Sequence, residues 1–337
     1  MLNTFFVSKS KLLCNLDIIK NKLKRQKICA MVKAKAYGIG TKHVVEILDK
    51  KVDFFGVANQ SEAKEIKRIS KTPVLIVGPL EKQFCKDFSY TCSCIEDIKR
   101  IKRTNKPIKI HLKINSGMNR YGFSDIKEFE RALKEIQNSN LIFEGMFTHF
   151  CTHDKFVNKQ FRFFKQFVLL AKKCKFDPII HCDSSFSAIH TNHKMDMSRL
   201  GFNLFDCSEF GFCEVCEIYS TVVQINKVKQ NQHIGYNKQN GENEKRIAVV
   251  PVGYADGFDM HLVGFNLDVG GINCKVENIC MDCFLLDITN TEIKKGDIIQ
   301  ILGNRNSLKK YANYLMTHEY EVMCKLSHIR AKRKIVD

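Results

Sequence analysis

The sequence predicts an α/β protein in which an N-terminal (β/α)8 TIM-like barrel is followed by a C-terminal all-β domain. Three observations carry that expectation. In the first two thirds of the chain, short runs rich in Val, Ile and Phe alternate with charged stretches of helical period. Eight such runs fit into roughly 200 residues, and sequential parallel strands need helical crossovers and close into a ring that leaves no edge. From about Tyr219 the pattern changes to strands separated by turns such as "NGEN" and "KKGD", with no helices between them.

The eight candidate barrel strands are "KICAMVKAK" (27–35), "DFFGVA" (53–58), "TPVLIVG" (72–78), "FSYTCSC" (88–94), "KIHLKIN" (109–115), "FEGMFTHF" (143–150), "IIHCDSS" (179–185) and "MSRLGFNLF" (197–205). Helical segments such as "SEAKEIKRI" and "NKQFRFFKQFVLLAKKC" lie between them. In the β region the strands are "TVVQINKV", "RIAVVPVGY", "LDVGGINCKV", "FLLDIT" and "DIIQILG", with a short helical pair near the C-terminus. The expected division is a barrel over 1–217 and a β domain over 218–337.

Composition bounds the function. A chain of 337 residues, 44% hydrophobic and 27% charged, has an ample core and no apolar run long enough to span a membrane. The start, "MLNTFFVSKSKLLCNLDIIK", is interrupted by polar residues before a signal-like segment develops, so a cytosolic protein is expected. Fifteen cysteines at irregular spacing are read as thiols rather than a disulfide framework. "CEVC" (213–216) has the spacing of half a zinc site, but no second pair follows, so no metal is expected. The formal charge of +18 is spread along the chain, and its densest runs, "KLKRQK" and "AKRKIVD", lack the interleaved aromatics of a stacking surface. Specific nucleic-acid binding is therefore not expected.

Barrel enzymes place chemistry at the C-terminal ends of their strands. Lys33, Lys113, His149, Ser184, Ser185 and Arg199 all fall at or near such ends. "SS" after the seventh strand and "RLGF" after the eighth occupy positions where barrels frequently bind phosphate, and Gly201 permits close backbone approach. A phosphate beside a reactive lysine points to pyridoxal 5'-phosphate, since a buried lysine among cations keeps some neutral amine for reaction with an aldehyde. His111 and His181, each on an apolar strand, are read as hydrogen-bonded core histidines.

At these residues the chain resembles the alanine racemase family, whose members are pyridoxal-phosphate enzymes built from a barrel and a β domain. "VKAKAYGIG" is similar to the cofactor-lysine signature, which implies Lys33 as the cofactor lysine and Tyr37 as a phosphate ligand. "HLKINSGMNRYGF" implies that Lys113 carries a carbamate and pairs with Arg120, which reaches toward the cofactor's phenolic oxygen and the substrate carboxylate. "FTHF", "HCDSSFSA" and "SRLGF" supply His149, Ser185, Arg199 and the amides of Gly201 and Phe202. In the β domain "HIGYN" implies Tyr236 as the second catalytic base, "VPVGYADGF" places Tyr254 at the substrate entrance, "ICMDCF" gives Met281 and Asp282, and "HEYEV" gives Tyr320 as another phosphate partner.

The resemblance implies two-base racemisation of L- and D-alanine, with Lys33 on one face of the cofactor and Tyr236 on the other. It also implies a homodimer with active sites at the interface, Tyr236 arriving from the partner subunit, and a supply of D-alanine for cell-wall peptidoglycan. An arginine facing the cofactor's ring nitrogen cannot give up a proton, which fits a family restricted to racemisation. A racemase of other or broad amino-acid specificity and a non-catalytic pyridoxal-phosphate-binding protein are the alternatives. Departures from the family pattern at Lys35, Ile39, Asn115, Ser184, Met260 and Asn278 spare the proton-transfer groups and bear on the entrance, hence on substrate range.

Overall fold

The computed structural model describes residues 2–24, 26–151, 156–190, 193, 195–205, 211–241 and 243–337. The chain begins with strand β1 (Thr4–Ser8) and a helix over Lys9–Leu23. It then enters eight parallel strands: β2 (Lys27–Met31), β3 (Phe54–Val57), β4 (Val74–Ile76), β5 (Phe88–Cys92), β6 (Lys109–Lys113), β7 (Ile142–Phe147), β8 (Ile179–His181) and β9 (Met197–Leu200). Each pairs with the next from β2 to β8, and β9 returns to pair with β2. The remaining seam is bridged by main-chain bonds from Asp196 N to Ile180 O (2.9 Å) and from Arg199 N to Asp183 O (3.0 Å), so the barrel is nearly closed. All eight strands expected from the sequence are present.

The barrel's composition explains its burial. Every residue of β3, β4 and β5 is buried, as parallel strands covered on both faces require. The helices that cover them are amphipathic: Ile95, Ile98 and Ile101 lie buried on one helix, and Phe129, Ala132, Leu133 and Ile136 on another. The helix Gln60–Lys67 starts at Asn59, whose side chain accepts from Glu62 N.

Two compact units divide the chain: residues 13–36 and 40–204 form the barrel, while 1–12, 37–39 and 205–337 form the second unit. The second unit holds β10 (Cys216–Thr221), β11 (Gln224–Val228), β12 (Lys245–Val250), β13 (Asn266–Val269), β14 (Ile272–Ile279), β15 (Phe284–Asp287), β16 (Ile298–Leu302) and β17 (Lys332–Val336). They make a four-stranded sheet in the order β16-β10-β1-β17 and a five-stranded sheet in the order β11-β12-β15-β14-β13. The expected helical pair spans Leu308–Leu315 and Glu319–Leu326.

Three features of this unit differ from the expectation. Strands β1 and β17, at opposite ends of the chain, pair in parallel with each other. "TVVQINKV" is not one strand, because the chain changes sheets at Val222 and Val223, whose amides bond to Asp297 O and Val249 O. "LDVGGINCKV" is a hairpin, with Gly270 and Gly271 both at positive φ (67° and 94°) in its two-residue turn.

Candidate active site

Lys33 lies two residues beyond β2 and is half-buried. The backbone that follows is unusual: Ala34, Lys35, Ala36 and Tyr37 all have φ between 52° and 55°, a full turn in the left-handed region. For residues with a Cβ this conformation costs about 1–2 kcal/mol each, so the surroundings must hold it. One clamp is Glu62, whose carboxylate accepts from Ala34 N and from Ala58 N, both at 2.8 Å. Two more are main-chain bonds from Ala36 N to Val32 O (2.9 Å) and from Gly40 N to Lys35 O (2.8 Å).

Lys113 is the last residue of β6 and is buried. The chain after it folds back on the strand end, with Phe123 N donating to Lys113 O and Asn115 N to Phe123 O, both at 2.9 Å. Asn115 Oδ1 accepts from Gly117 N and Asn119 N, so the Asn retains the acceptor that closes this turn. The turn lays the Tyr121 ring 4.7 Å from the Lys113 ammonium, and Phe147 lies at 5.7 Å. Burial, followed by repulsion from Arg120, Arg199 and Lys33, pulls the Lys113 amine down to about 7. Arg120 itself is exposed and couples to Lys113 through charge.

Arg199 sits within β9 and is buried. Its guanidinium donates to Thr148 O (2.7 Å), His181 O (3.2 Å), Cys182 O (3.3 Å) and His181 Nδ1 (2.9 Å), with His149 Nδ1 at 3.5 Å. Phe147 lies beneath it at 4.9 Å and stacks on His181 at 4.8 Å. Burial, and then the positive charges of Arg199, Arg120, Lys113 and Lys33, push the His149 imidazole down to about 3, so it is neutral at physiological pH. Beyond β9, Gly201 N donates to Ser185 Oγ (2.7 Å) and Asn203 Nδ2 to Ser185 O (3.0 Å), which joins the two loops expected to bind phosphate. Phe202 opens a short 3-10 turn beside them.

In the second unit, the Tyr37 ring packs at 5.6 Å from Phe205 and 6.2 Å from Tyr320. Tyr254 and Met281 are brought together by main-chain bonds from Tyr254 N to Cys280 O (3.1 Å) and Ala255 N to Met281 O (3.0 Å). Asp256 and Asp282 are joined through Arg330, which donates to Asp256 Oδ1 and Asp282 Oδ1 at 2.6 Å. Tyr236 is 68% exposed on a turn that Asn278 holds by donating to Ile234 O (2.7 Å) and Tyr236 O (2.8 Å).

Models of the N-terminal and C-terminal domains of alanine racemase match residues 7–209 and 215–335. The chain belongs to the alanine racemase family. The alanine racemase of Francisella philomiragia subsp. philomiragia is 30% identical over 97% of this chain and 98% of its own length. Alanine racemase 1 of Caldanaerobacter subterraneus subsp. tengcongensis is 32% identical, covering 90% of this chain and 87% of its own. Among solved structures, the alanine racemase of Bacillus anthracis with bound L-Ala-P aligns at a TM-score of 0.93 and 25% identity over 100% of this chain and 95% of its own. That of Clostridium difficile 630 aligns at 0.92 and 26%, over 100% and 96%. Matches of this length make the chain an isomerase of the alanine racemase family.

Of the residues singled out in the sequence, the barrel unit gathers Lys33, Lys113, His149, Ser185, Arg199, Gly201 and Phe202 at its strand ends, with Arg120 on the loop above Lys113. The second unit holds Tyr37, Tyr236, Tyr254, Met281 and Tyr320. Sequence reasoning missed Glu62 and the positional role of Asn278. Glu62 is the third helical residue of an ordinary capping pattern, and its second function depends on two amides from other loops. His111 and His181 are core histidines as expected, and His181 also holds Arg199.

Proposed function

We propose that this protein interconverts L- and D-alanine with pyridoxal 5'-phosphate as cofactor. The observation that supports this most directly is the convergence of Lys33, Lys113, His149 and Arg199 at the C-terminal barrel ends, close enough that the charges of Lys33 and Arg199 depress both Lys113 and His149. So many like charges call for an anion, and the donor set fits an anionic aldehyde bearing a phosphate and a phenolic oxygen. Lys33 would hold its aldehyde carbon, and Ser185, the amides of Gly201 and Phe202, Tyr37 and Tyr320 its phosphate. Arg199 would face its ring nitrogen. When bound, the cofactor supplies an electron sink that acidifies the Cα–H bond of the attached amino acid.

The chain's own groups then move the proton. Inverting a stereocentre takes one acid/base group on each face: Lys33 serves one and Tyr236 the other. Arg199 has no proton to lend at neutral pH, so it orients without protonating. His149, neutral beside Arg199, is placed to accept or relay a hydrogen bond rather than carry charge. Arg120, with Met281, would receive the substrate carboxylate, and Tyr254 would line the approach. Lys113 as an ammonium is repelled by Arg120, Arg199 and Lys33; as a carbamate it would turn each of those interactions attractive, and an amine held near 7 has the neutral fraction that reacts with carbon dioxide.

The family resemblance further supports a cytoplasmic homodimer in which residues 1–217 carry most of the cofactor site and residues 218–337 supply Tyr236 to the partner. The exposure of Tyr236 is consistent with that assignment. Among the described residues no helix is long and apolar enough to cross a membrane. The cell's use of the product would be D-alanine for peptidoglycan.

The test is incubation of the cofactor-loaded protein with L-alanine in heavy water, following D-alanine and deuterium at Cα. D-alanine formation that Lys33→Ala abolishes is the expected result. Deuterium uptake with retained chirality would exclude Tyr236 as second base, and no exchange at all would exclude alanine as substrate.

A further inference from the structure

The interior of a (β/α)8 barrel is normally filled by layers of branched apolar side chains. Here a continuous polar chain runs through it. Arg199 Nη1 contacts His181 Nδ1 at 2.9 Å, His181 Nε2 contacts His111 Nδ1 at 2.9 Å, and His111 Nε2 contacts Glu144 Oε2 at 3.1 Å. Both imidazoles are fully buried. At the far end Glu144 also accepts from Ser89, and its Oε1 meets the Lys109 ammonium at 2.8 Å. Gly145, next to Glu144 on β7, makes the room: a Cβ there would lie 2.3 Å from His111 Cε1.

Donor chemistry fixes the direction of every link. A guanidinium only donates, so His181 Nδ1 must be an acceptor and His181 carries its proton on Nε2. That N–H then points at His111 Nδ1, which in turn must accept, leaving the His111 proton on Nε2, where it meets a carboxylate. The three bonds are oriented head to tail from a cation to an anion, and each polarises the next in the same sense. Both histidines are held neutral by burial, and Glu144 is held down to about 2 despite its burial by bonds from His111, Lys109 and Ser89. The acceptors that touch the guanidinium itself are carbonyls and imidazoles. Burial is the main influence that lowers the Arg199 pKa; Asp183 adds longer-range favourable charge, and Arg120 opposes it.

We propose that Glu144 is a positioning residue: as the terminal acceptor it holds His111 and His181 in the one tautomer that leaves His181 Nδ1 open to the Arg199 guanidinium, and thereby helps orient that guanidinium toward the bound cofactor. This rests on the reading of Arg199 as the group that faces the cofactor ring. It extends the site from the strand ends to the opposite side of the barrel, and it gives two histidines and a carboxylate that touch neither substrate nor cofactor a defined effect on turnover.

Two measurements test it. The first needs no variant: with histidine labelled in 15N, the ring nitrogens of the cofactor-loaded enzyme report tautomer directly. His111 and His181, assigned by loss of their signals in His111→Gln and His181→Gln, are expected to carry one proton each, on Nε2, unchanged between pH 6 and pH 9. A proton on Nδ1 of either ring, or on both nitrogens, overturns the proposal. The second compares Glu144→Gln, which keeps the shape and loses the charge, with Glu144→Asp, which keeps the charge. Glu144→Gln is expected to lower kcat for alanine about tenfold with KM within about twofold, on the scale of other outer-shell partners of active-site groups, and to shift the cofactor absorption band; Glu144→Asp should restore most of both. Wild-type kcat and absorption in Glu144→Gln, whatever its melting temperature, would make Glu144 a purely structural residue. Failure of the wild type to racemise alanine would refute the proposed reaction, whereas the histidine spectra would still decide the chain.

Discussion

At the residue scale, Asn278 shows how a position can be noticed and still not understood from sequence. It stands out in the sequence as a departure from the family pattern, but its function depends on carbonyls more than forty positions earlier, Ile234 O and Tyr236 O. Its Oδ1 also accepts from Ile279 N at 2.8 Å. A buried amide that closes a turn with three bonds cannot be replaced by a methyl group without leaving two carbonyls and an N–H to find new partners, at about 1–3 kcal/mol. Asn278→Ala should therefore loosen the turn that presents Tyr236 and lower kcat several-fold more than it raises KM. Steady-state kinetics in both directions check this, and an unchanged kcat would mean that the turn holds Tyr236 without Asn278. Lys33, Lys113, His149 and Arg199 were easier to find because each marks a strand end, and a strand end can be read from local pattern. The depth to which His149 is held neutral was not legible, since it follows from burial first and then from cations contributed by other strand ends and by Arg120.

At the element scale, the barrel was legible because each of its strands is a short buried run set between amphipathic helices, a signal contained within a few dozen residues. Strands β1 and β17 were not, because five polar-flanked residues at each end of the chain become strands only by pairing with each other and, for β1, with β10. The sheet change at Val222–Val223 was hidden for the same reason: both halves read as strand, and only their distant partners separate them. The left-handed turn after Lys33 is a further case, since "AKAY" has ordinary helical propensity and nothing local asks for positive φ. It yields a prediction of unusual sign. Ala34 is exposed and has φ of 52°, so Ala34→Gly removes a Cβ penalty of about 1–2 kcal/mol at the cost of about 0.5–1 kcal/mol in unfolded-chain entropy. The variant should be more stable than wild type by up to about 1.5 kcal/mol in urea unfolding, where the same substitution in a right-handed helix destabilises. A loss of stability would mean that the turn is not left-handed in solution.

At the scale of the whole molecule, the buried histidines set how the barrel responds to acid. His111, His149 and His181 all lie below the ordinary 6.5, chiefly through burial, and His149 as far down as about 3. A histidine depressed in the folded state is neutral there while the unfolded chain protonates it, so the unfolded state binds more protons once the pH falls below 6.5. The histidines' contribution to stability is therefore full above that value and is lost as the pH drops. Each histidine that stays neutral in the fold adds up to about 1.4 kcal/mol per pH unit to this loss, and His149, held near 3, adds it in full near pH 5. Lys113 acts in a separate window: held near 7 rather than 10.5, it is neutral in the fold while the unfolded chain remains protonated, so it raises stability with pH from about 7 until the buried thiols of Cys29, Cys274 and Cys283, held above their ordinary 9 by burial, begin to ionise in the unfolded chain alone and oppose it. Urea unfolding from pH 4.5 to about pH 8, below the range in which thiols ionise, should show both trends, steep below 6 and shallower above 7. A slope below pH 6 matching one histidine would mean that a proton enters the His111–His181 pair in the folded barrel, and a flat alkaline limb would mean that Lys113 no longer carries a titrating amine, as a carbamate would require.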